Sequence, residues 1–224
     1  MALLLRLLVG VAAWTGLGVQ YFGRLHFASQ LGFWRNTVLF LGYFTVLSNL
    51  LIGLAALVPL LLPRSALGRF LLRPAVRAGL LLYIAITGIV NFVLLRGLWT
   101  PHGWALVGDT LLHYVVPLLF ALDWLLLVPK GSLRWRDALL WLGFPLAYTA
   151  YALGSGAVTG FYPYPFLNVR RLGYGETLVN IGVLAIGIVA FALMLVALDR
   201  LIAGRGTGGP MRSASGTSGA GASD

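Results

Sequence analysis

The sequence predicts an all-α membrane protein: a polytopic bundle of six transmembrane helices with the N and C termini on the cytoplasmic side. Three observations predict it. The 224 residues are 59% hydrophobic and 10% charged, with a mean hydropathy of +0.91, whereas soluble domains carry about a quarter charged residues. Six apolar segments approach the ~20 residues that a spanning helix needs. The basic residues fall between these segments, so the net charge of +10 reads as a topology signal and not as a nucleic-acid surface.

The first segment covers residues 3–22, with Arg6 near its start and an apolar core after it. Its apolar run is long and no small-x-small cleavage site precedes a polar mature start, so it reads as a span and not as a cleaved signal. The second, 38–62, contains Thr45, Ser48 and Asn49. The third, 78–95, contains Thr87 and Asn91. The fourth, 106–128, contains Asp109, His113, Pro117 and Asp123. The fifth, 138–153, contains Pro145, Tyr148 and Tyr151. The sixth, 177–203, contains Asn180 and ends at Asp199 and Arg200. Residues 204–224 are almost free of large apolar side chains. Such a Gly/Ser-rich stretch cannot offset its ordering entropy and is expected to be a disordered cytoplasmic tail behind one membrane domain, 1–203.

Orientation follows from the basic residues at alternate ends. One side holds Arg6, Arg64, Arg69, Arg73, Arg77, Lys130, Arg134, Arg136, Arg200, Arg205 and Arg212. The other holds Arg24, Arg35, Arg96, Arg170 and Arg171. Eleven against five makes the first side cytoplasmic and both termini internal. A single lysine among the basic residues fits the arginine bias of a GC-rich bacterial genome, which points to the inner membrane as the location.

Depth can then be compared at ~1.5 Å per residue. Thr45 and His113 each lie seven or eight residues into spans descending from the outer face, so both sit roughly 10–12 Å deep. Asn91, Tyr148 and Asn180 fall in the same outer half. Thr45 with Ser48 and Asn49, and Asp109 with His113, share helix faces by their i,i+3 and i,i+4 spacing. Ser, Thr and Asn in membranes most often hold helices together. An intramembrane histidine carries more functional weight, because it exchanges a proton near neutral pH. Asp123 lies ~80° around the helix from His113 by the helical repeat and near the cytoplasmic end, where it is expected to pair with an arginine. Pro117 cannot donate to the carbonyl four residues back and so frees that of His113.

A hydroxyl beside a histidine is a nucleophile–base pair for acyl transfer. Thr45 and His113 fit that role by residue type and depth. Asp109 is placed to accept from the histidine ring, and Asn91 or Asn180 to stabilise an oxyanion. Ser48, Asn49 and Tyr148 complete the candidate pocket. The absence of cysteine excludes a disulfide, a thiol nucleophile and cysteine-ligated metals. One intramembrane histidine does not supply paired haem ligands, and no His/Asp/Glu cluster suits a metal, so no cofactor is expected. Gly154-Ser155-Gly156 has no following histidine and reads as a turn. No ring of charge marks a channel.

Tyr43-Phe44-Thr45-x-x-Ser48-Asn49, Leu112-His113-Tyr114-Val-Val-Pro117 with Asp123-Trp124, and Tyr162-Pro163-Tyr164-Pro165-Phe166 followed by Gly173-Tyr174-Gly175 resemble a bacterial family of six-span integral membrane proteins. That family is similar to the androgen-induced membrane proteins, hydrolases of fatty acid esters of hydroxy fatty acids that use an intramembrane threonine and histidine. The resemblance covers residues 1–203. It implies Thr45 as nucleophile and His113 as base, acting on a lipid-like ester, with membrane lipids as the surrounding partners. The alternative is a non-enzymatic lipid-binding or transport protein using the same outer-leaflet polar pocket. The aromatic loop at 156–175 is expected to lie at headgroup level as an interfacial anchor.

Overall fold

Backbone N–H and C=O groups in lipid must find partners within the chain, and the described elements meet that demand as helices. The computed structural model describes residues 1–98 and 100–206, with no strand among them. In chain order the helices are α1 (Ala2–Phe27), α2 (Phe33–Leu41), α3 (Phe44–Leu61), α4 (Ala66–Leu71) and α5 (Pro74–Val90), which continues through a π-turn, Asn91–Leu95. Then come α6 (Trp104–Thr110), a second π-turn (Leu111–Val115) and α7 (Val116–Leu127). The last three are α8 (Trp135–Trp141), α9 (Gly143–Thr159) and α10 (Val169–Gly206). Six stretches are long and apolar enough to span a membrane: α1, α3, α5 with its π-turn, α6 through α7, α8 with α9, and α10. The chain is a six-helix membrane bundle.

Several expected boundaries move. The fifth segment, 138–153, begins in α8, breaks at Leu142 and runs on to Thr159, so Gly154-Ser155-Gly156 is helix and not the expected turn. The segment 38–62 is two helices, because the chain bends at Gly42 and extends at Tyr43 (φ −88°, ψ 133°) before α3 begins. The bend is held from across the bundle: the Tyr148 hydroxyl donates to the Gly42 carbonyl at 3.0 Å. Thr45 therefore sits in the first turn of α3 and not eight residues into a span. At the other end of the chain, α10 starts at Val169, breaks at Gly173 (φ 75°) and runs to Gly206, three residues beyond the expected end of the membrane domain at 203. The remainder of the expected tail, 207–224, lies outside the described residues.

α1 packs against α3, α6 and α7; α3 and α7 both pack on α5, and α10 covers α5 and α8. Small residues permit close approach in lipid, where no hydrophobic force draws helices together. Ala13, Ala55, Ala56 and Ala78 are fully buried among Ile52, Leu82 and Phe120. At Gly16 a Cβ would come within 2.6 Å of the Leu112 side chain. The N-terminus and the end of α10 lie at one end of the bundle (the terminal end), together with the connections around 62–73 and 128–134. The connections around 28–43, 100–103 and 160–168 lie at the other, the site end.

The terminal end is organised by a buried carboxylate. Asp123 on α7 is 0% exposed and ion-paired with Arg77 of α5, itself 1% exposed. Its second oxygen accepts from Arg6 Nε of α1 at 3.2 Å. Arg77 also donates to the Ala55 carbonyl of α3 at 3.1 Å and lies over the Phe120 ring at 4.7 Å. The expected arginine partner of Asp123 is thus present twice over. A second latch folds the loop at 128–134: Asp199 of α10 accepts from the backbone N–H groups of Gly131 (2.9 Å) and Leu133 (3.0 Å). There Lys130 lies 4.2 Å over the Trp124 ring.

Removing one partner of a buried pair leaves an uncompensated charge, whereas replacing both with apolar groups is far less costly. Asp123→Ala is therefore expected to destabilise the protein by about 3–5 kcal/mol. The triple variant Arg6→Leu/Arg77→Met/Asp123→Leu, which removes both arginine partners along with the carboxylate, should retain most of the wild-type thermal stability in detergent. Equal losses in the two variants would contradict the assignment of the cost to the orphaned arginine.

Candidate functional site

The first turn of a helix has N–H groups with no intrahelical partner. In α3 the N-cap residue, Tyr43, provides no side-chain cap. The Thr45 N–H instead donates to the hydroxyl oxygen of Tyr164, at 3.2 Å, from the loop between α9 and α10. The same phenol lies 3.3 Å from Thr45 Oγ1. On its other side Oγ1 lies 3.3 Å from His113 Nε2. The expected pair is in contact, with a third residue closing on it.

The hydrogens in this chain can be assigned from the acceptors. His113 Nδ1 faces the Asp109 backbone carbonyl at 3.1 Å and Asp109 Oδ1 at 3.0 Å. Both are acceptors, so Nδ1 carries a proton, and in the neutral tautomer this leaves Nε2 as the acceptor. Thr45 Oγ1 then donates to Nε2. The Tyr164 oxygen, accepting from the Thr45 N–H, keeps its own hydrogen for Oγ1. Burial pushes the Tyr164 phenol above its ordinary range, outweighing the opposing hydrogen bonds from Thr45, so it stays a neutral donor. At 3.3 Å the Oγ1–Nε2 contact is at the long end for a hydrogen bond of this kind. The positive end of the α3 dipole lies at the same point and favours negative charge there.

Helix irregularities place the histidine. Pro117 has no N–H, and the turn ahead of it widens into the π-turn Leu111–Val115, closed by the Val116 N–H donating to the Leu111 carbonyl. His113 is the middle residue of that turn. The expected effect of Pro117 takes this form, and the His113 carbonyl lies against Gly88 of α5, 2.8 Å from where a Cβ would stand. Asn91 opens the π-turn that ends α5 and donates to Asp109 Oδ1 at 3.4 Å.

Of the other expected pocket residues, Asn49 donates to the Thr45 carbonyl at 2.9 Å and to the Leu112 carbonyl at 3.3 Å. It ties the turn that carries Thr45 to the turn that carries His113. Tyr148 stands edge-on to Phe44, with ring centroids 5.1 Å apart, and holds the Gly42 bend. Ser48 is buried with no hydrogen-bond partner for its hydroxyl and faces neither cavity at the site. Asn180 donates to the Phe166 carbonyl at 3.2 Å, fixing the loop instead of facing Thr45. It shares the outer half with the site, but its side chain serves the loop.

The loop is more than an interfacial anchor. Tyr164 is 8% exposed, stacked on Phe166 at 5.2 Å and edge-on to Tyr43 at 5.9 Å, with Pro163 and Pro165 stiffening the chain on either side. Its signal in the sequence was the Tyr-Pro-Tyr-Pro run, since prolines fix the backbone that carries the aromatic ring.

Two cavities meet at Thr45 and Tyr164. One, of about 340 Å³, is bordered by His113, Asp109, Asn91, Gln20, Arg24 and Arg96. The other, of about 130 Å³, is an apolar slot walled by Phe44, Ile86, Leu146, Ile181, Leu184 and Ile188. No group of three or more His, Asp or Glu side chains suited to a metal ion occurs among the described residues. No protein-family model matches the chain, and no curated protein or solved structure shows significant similarity to it.

The contact between Gly88 and the His113 carbonyl yields a test of positioning. Gly88→Ala places a methyl group against backbone that cannot rotate away, forcing α5 from the histidine turn. Overpacking of this kind costs about 1–3 kcal/mol. The expected result is a folded, less stable protein in which any activity depending on the Thr45–His113 contact falls, while Gly97→Ala, where a Cβ meets open space, leaves stability unchanged within error.

Proposed function

We propose that this protein is a multi-pass lipid-ester hydrolase in which Thr45 is the nucleophile and His113 the general base. The observation that carries the reading is the Thr45 Oγ1–His113 Nε2 contact at 3.3 Å, with Nδ1 held by Asp109. A membrane bundle has little structural need to bring a bare imidazole nitrogen to a hydroxyl at the junction of a polar and an apolar cavity. The resemblance to the six-span family points to the same two residues and to a fatty acyl ester as substrate.

In this mechanism the acyl chain lies in the slot beside Phe44 and Ile86, and the alcohol portion lies in the larger cavity. Oγ1 attacks the ester carbonyl carbon as its proton passes to Nε2. Negative charge develops on the carbonyl oxygen, and the Tyr164 hydroxyl is the nearest donor able to turn from Oγ1 toward it. Asp109 stabilises the imidazolium. Collapse of the tetrahedral intermediate breaks the bond to the alcohol, which leaves with the proton from Nε2, and the acyl group remains on Thr45. Water then attacks that ester, losing its proton to His113, and the carboxylic acid is released as Thr45 regains its hydrogen. Asn180, engaged with Phe166, has no part; Asn91 acts by holding Asp109. The bacterial inner membrane, with the site end outward, is the location this reading carries over from the charge distribution.

A fluorophosphonate probe is expected to label the purified wild-type protein covalently, and labelling should disappear in Thr45→Ala and His113→Ala. Tyr164→Phe should still fold and bind, yet lose roughly 10²–10³ in kcat, as for removal of one oxyanion donor. Asp109→Asn should lose less than His113→Ala, since the Asp109 backbone carbonyl still accepts from Nδ1. Folded wild-type protein that neither labels nor turns over long-chain esters, yet still binds them, would favour a lipid-binding protein instead.

A further inference from the structure

The mechanism uses the deep part of the larger cavity and leaves its mouth without a role. That mouth carries two guanidinium groups, Arg24 near the end of α1 and Arg96 just beyond the π-turn of α5. Gln20, one helical turn before Arg24 and on the same face, borders the cavity beside it.

At the terminal end the two buried-side arginines, Arg6 and Arg77, share Asp123. Arg24 has no ion pair or side-chain hydrogen bond among the described residues, and its Nε is buried without a partner. Arg96 lies over the Phe92 ring at 5.2 Å, which steadies the side chain while its N–H groups make no hydrogen bond or ion pair among the described residues. The single carboxylate bordering the cavity is Asp109, already engaged by His113 Nδ1 and Asn91 Nδ2. The cavity is thus bordered by two guanidiniums and one carboxylate, whose Oδ1 is already taken by His113 and Asn91. A buried charged N–H group without an acceptor is costly, and a guanidinium offers the forked donor geometry that carboxylate and phosphate groups fit.

We infer that Arg24 and Arg96 form an anion subsite that holds a carboxylate or phosphate on the alcohol portion of the bound lipid, so that the preferred substrate is an anionic amphiphilic ester. The assignment of a substrate rests on the hydrolase reading above; the binding of an anionic lipid does not. The apolar slot takes the acyl chain on one side of Thr45, and the arginines take the charged end on the other. The two contacts together set the ester at the nucleophile.

The test uses the full-length protein in an uncharged detergent, with Thr45→Ala to prevent turnover, and compares dodecanoate, dodecyl phosphate, dodecanol and inorganic phosphate as probes. Charged hydrogen bonds of this kind correspond to roughly tenfold to a hundredfold in affinity. Dodecanoate or dodecyl phosphate should therefore bind at least about tenfold more tightly than dodecanol, and whichever binds better identifies the anion. Adding Arg24→Gln and Arg96→Gln should abolish that preference. Arg96→Gln alone, at an exposed position where folding is not at stake, should reduce it. Arg35→Gln, an exposed arginine away from the cavity, serves as the control and should retain it. Equal binding of dodecanol, or a preference that survives both arginine changes, overturns the subsite. Inorganic phosphate binding as tightly as dodecyl phosphate overturns its assignment to a lipid. Absence of ester turnover in the wild type would instead sink the hydrolase reading and leave the binding result standing.

Discussion

The structure depends on the need to neutralise charge inside lipid, and the Asp123 carboxylate meets that need for several helices at once. It receives Arg77 from α5 and Arg6 from α1, while Arg77 also reaches the Ala55 carbonyl of α3. Four of the central helices are thereby fixed in register at one level. The site lies further along the same helices: Thr45 ten residues from Ala55, His113 ten from Asp123, and Asn91 fourteen from Arg77. At ~1.5 Å per residue these separations are about 15–21 Å. A slip of any one helix against the others would break the buried pair and misplace a site residue together. Specification of register is the best-attested use of buried ionic groups, and here it is linked by rigid helix to the chemistry.

At the site end, accuracy comes from departures from regular helix. Thr45 is presented by a helix start, His113 and Asn91 by π-turns, and Tyr164 by a proline-flanked loop. Each departure leaves backbone groups that need partners, and those partners are the residues of the site. The Thr45 N–H goes to Tyr164, the Gly42 carbonyl to Tyr148, and the Thr45 and Leu112 carbonyls to Asn49. π-turns inside α-helices are frequent at functional positions. The same hydrogen bonds that satisfy the irregular backbone also orient Thr45 and His113, the proposed nucleophile and base.

Six spans and the pairing of Asp123 with an arginine were legible in the sequence, because hydropathy and the cost of burying charge act on each segment alone. The proximity of Thr45 and His113 was legible only as equal depth, and for a partly mistaken reason. The segment 38–62 is apolar throughout, so nothing in its hydropathy marks the break at Gly42. That break is made by Tyr148 from a distant helix. Asn180 was misjudged because depth does not say which way a side chain points. Tyr164 was hidden by the resemblance between an aromatic, proline-rich lid and an interfacial belt. The two differ in whether the phenol meets water or a backbone N–H, and this is decided by contacts more than a hundred residues apart.

The position of Thr45 between two unlike cavities brings these strands together. On the proposed reading, a nucleophile set wholly within the apolar slot would face the full cost of developing charge in a medium without compensating dipoles. One set wholly within the larger cavity would lie away from the slot proposed for the acyl chain. At the boundary, Oγ1 has the α3 N-terminus, Tyr164 and His113 on the side where charge must form, and Phe44 and Ile86 on the side where a hydrocarbon must lie. The helix start that sequence hydropathy concealed is therefore the feature that makes the arrangement workable. It brings an unsatisfied helix N-terminus to the junction, which an uninterrupted span through 38–62 would have carried past it.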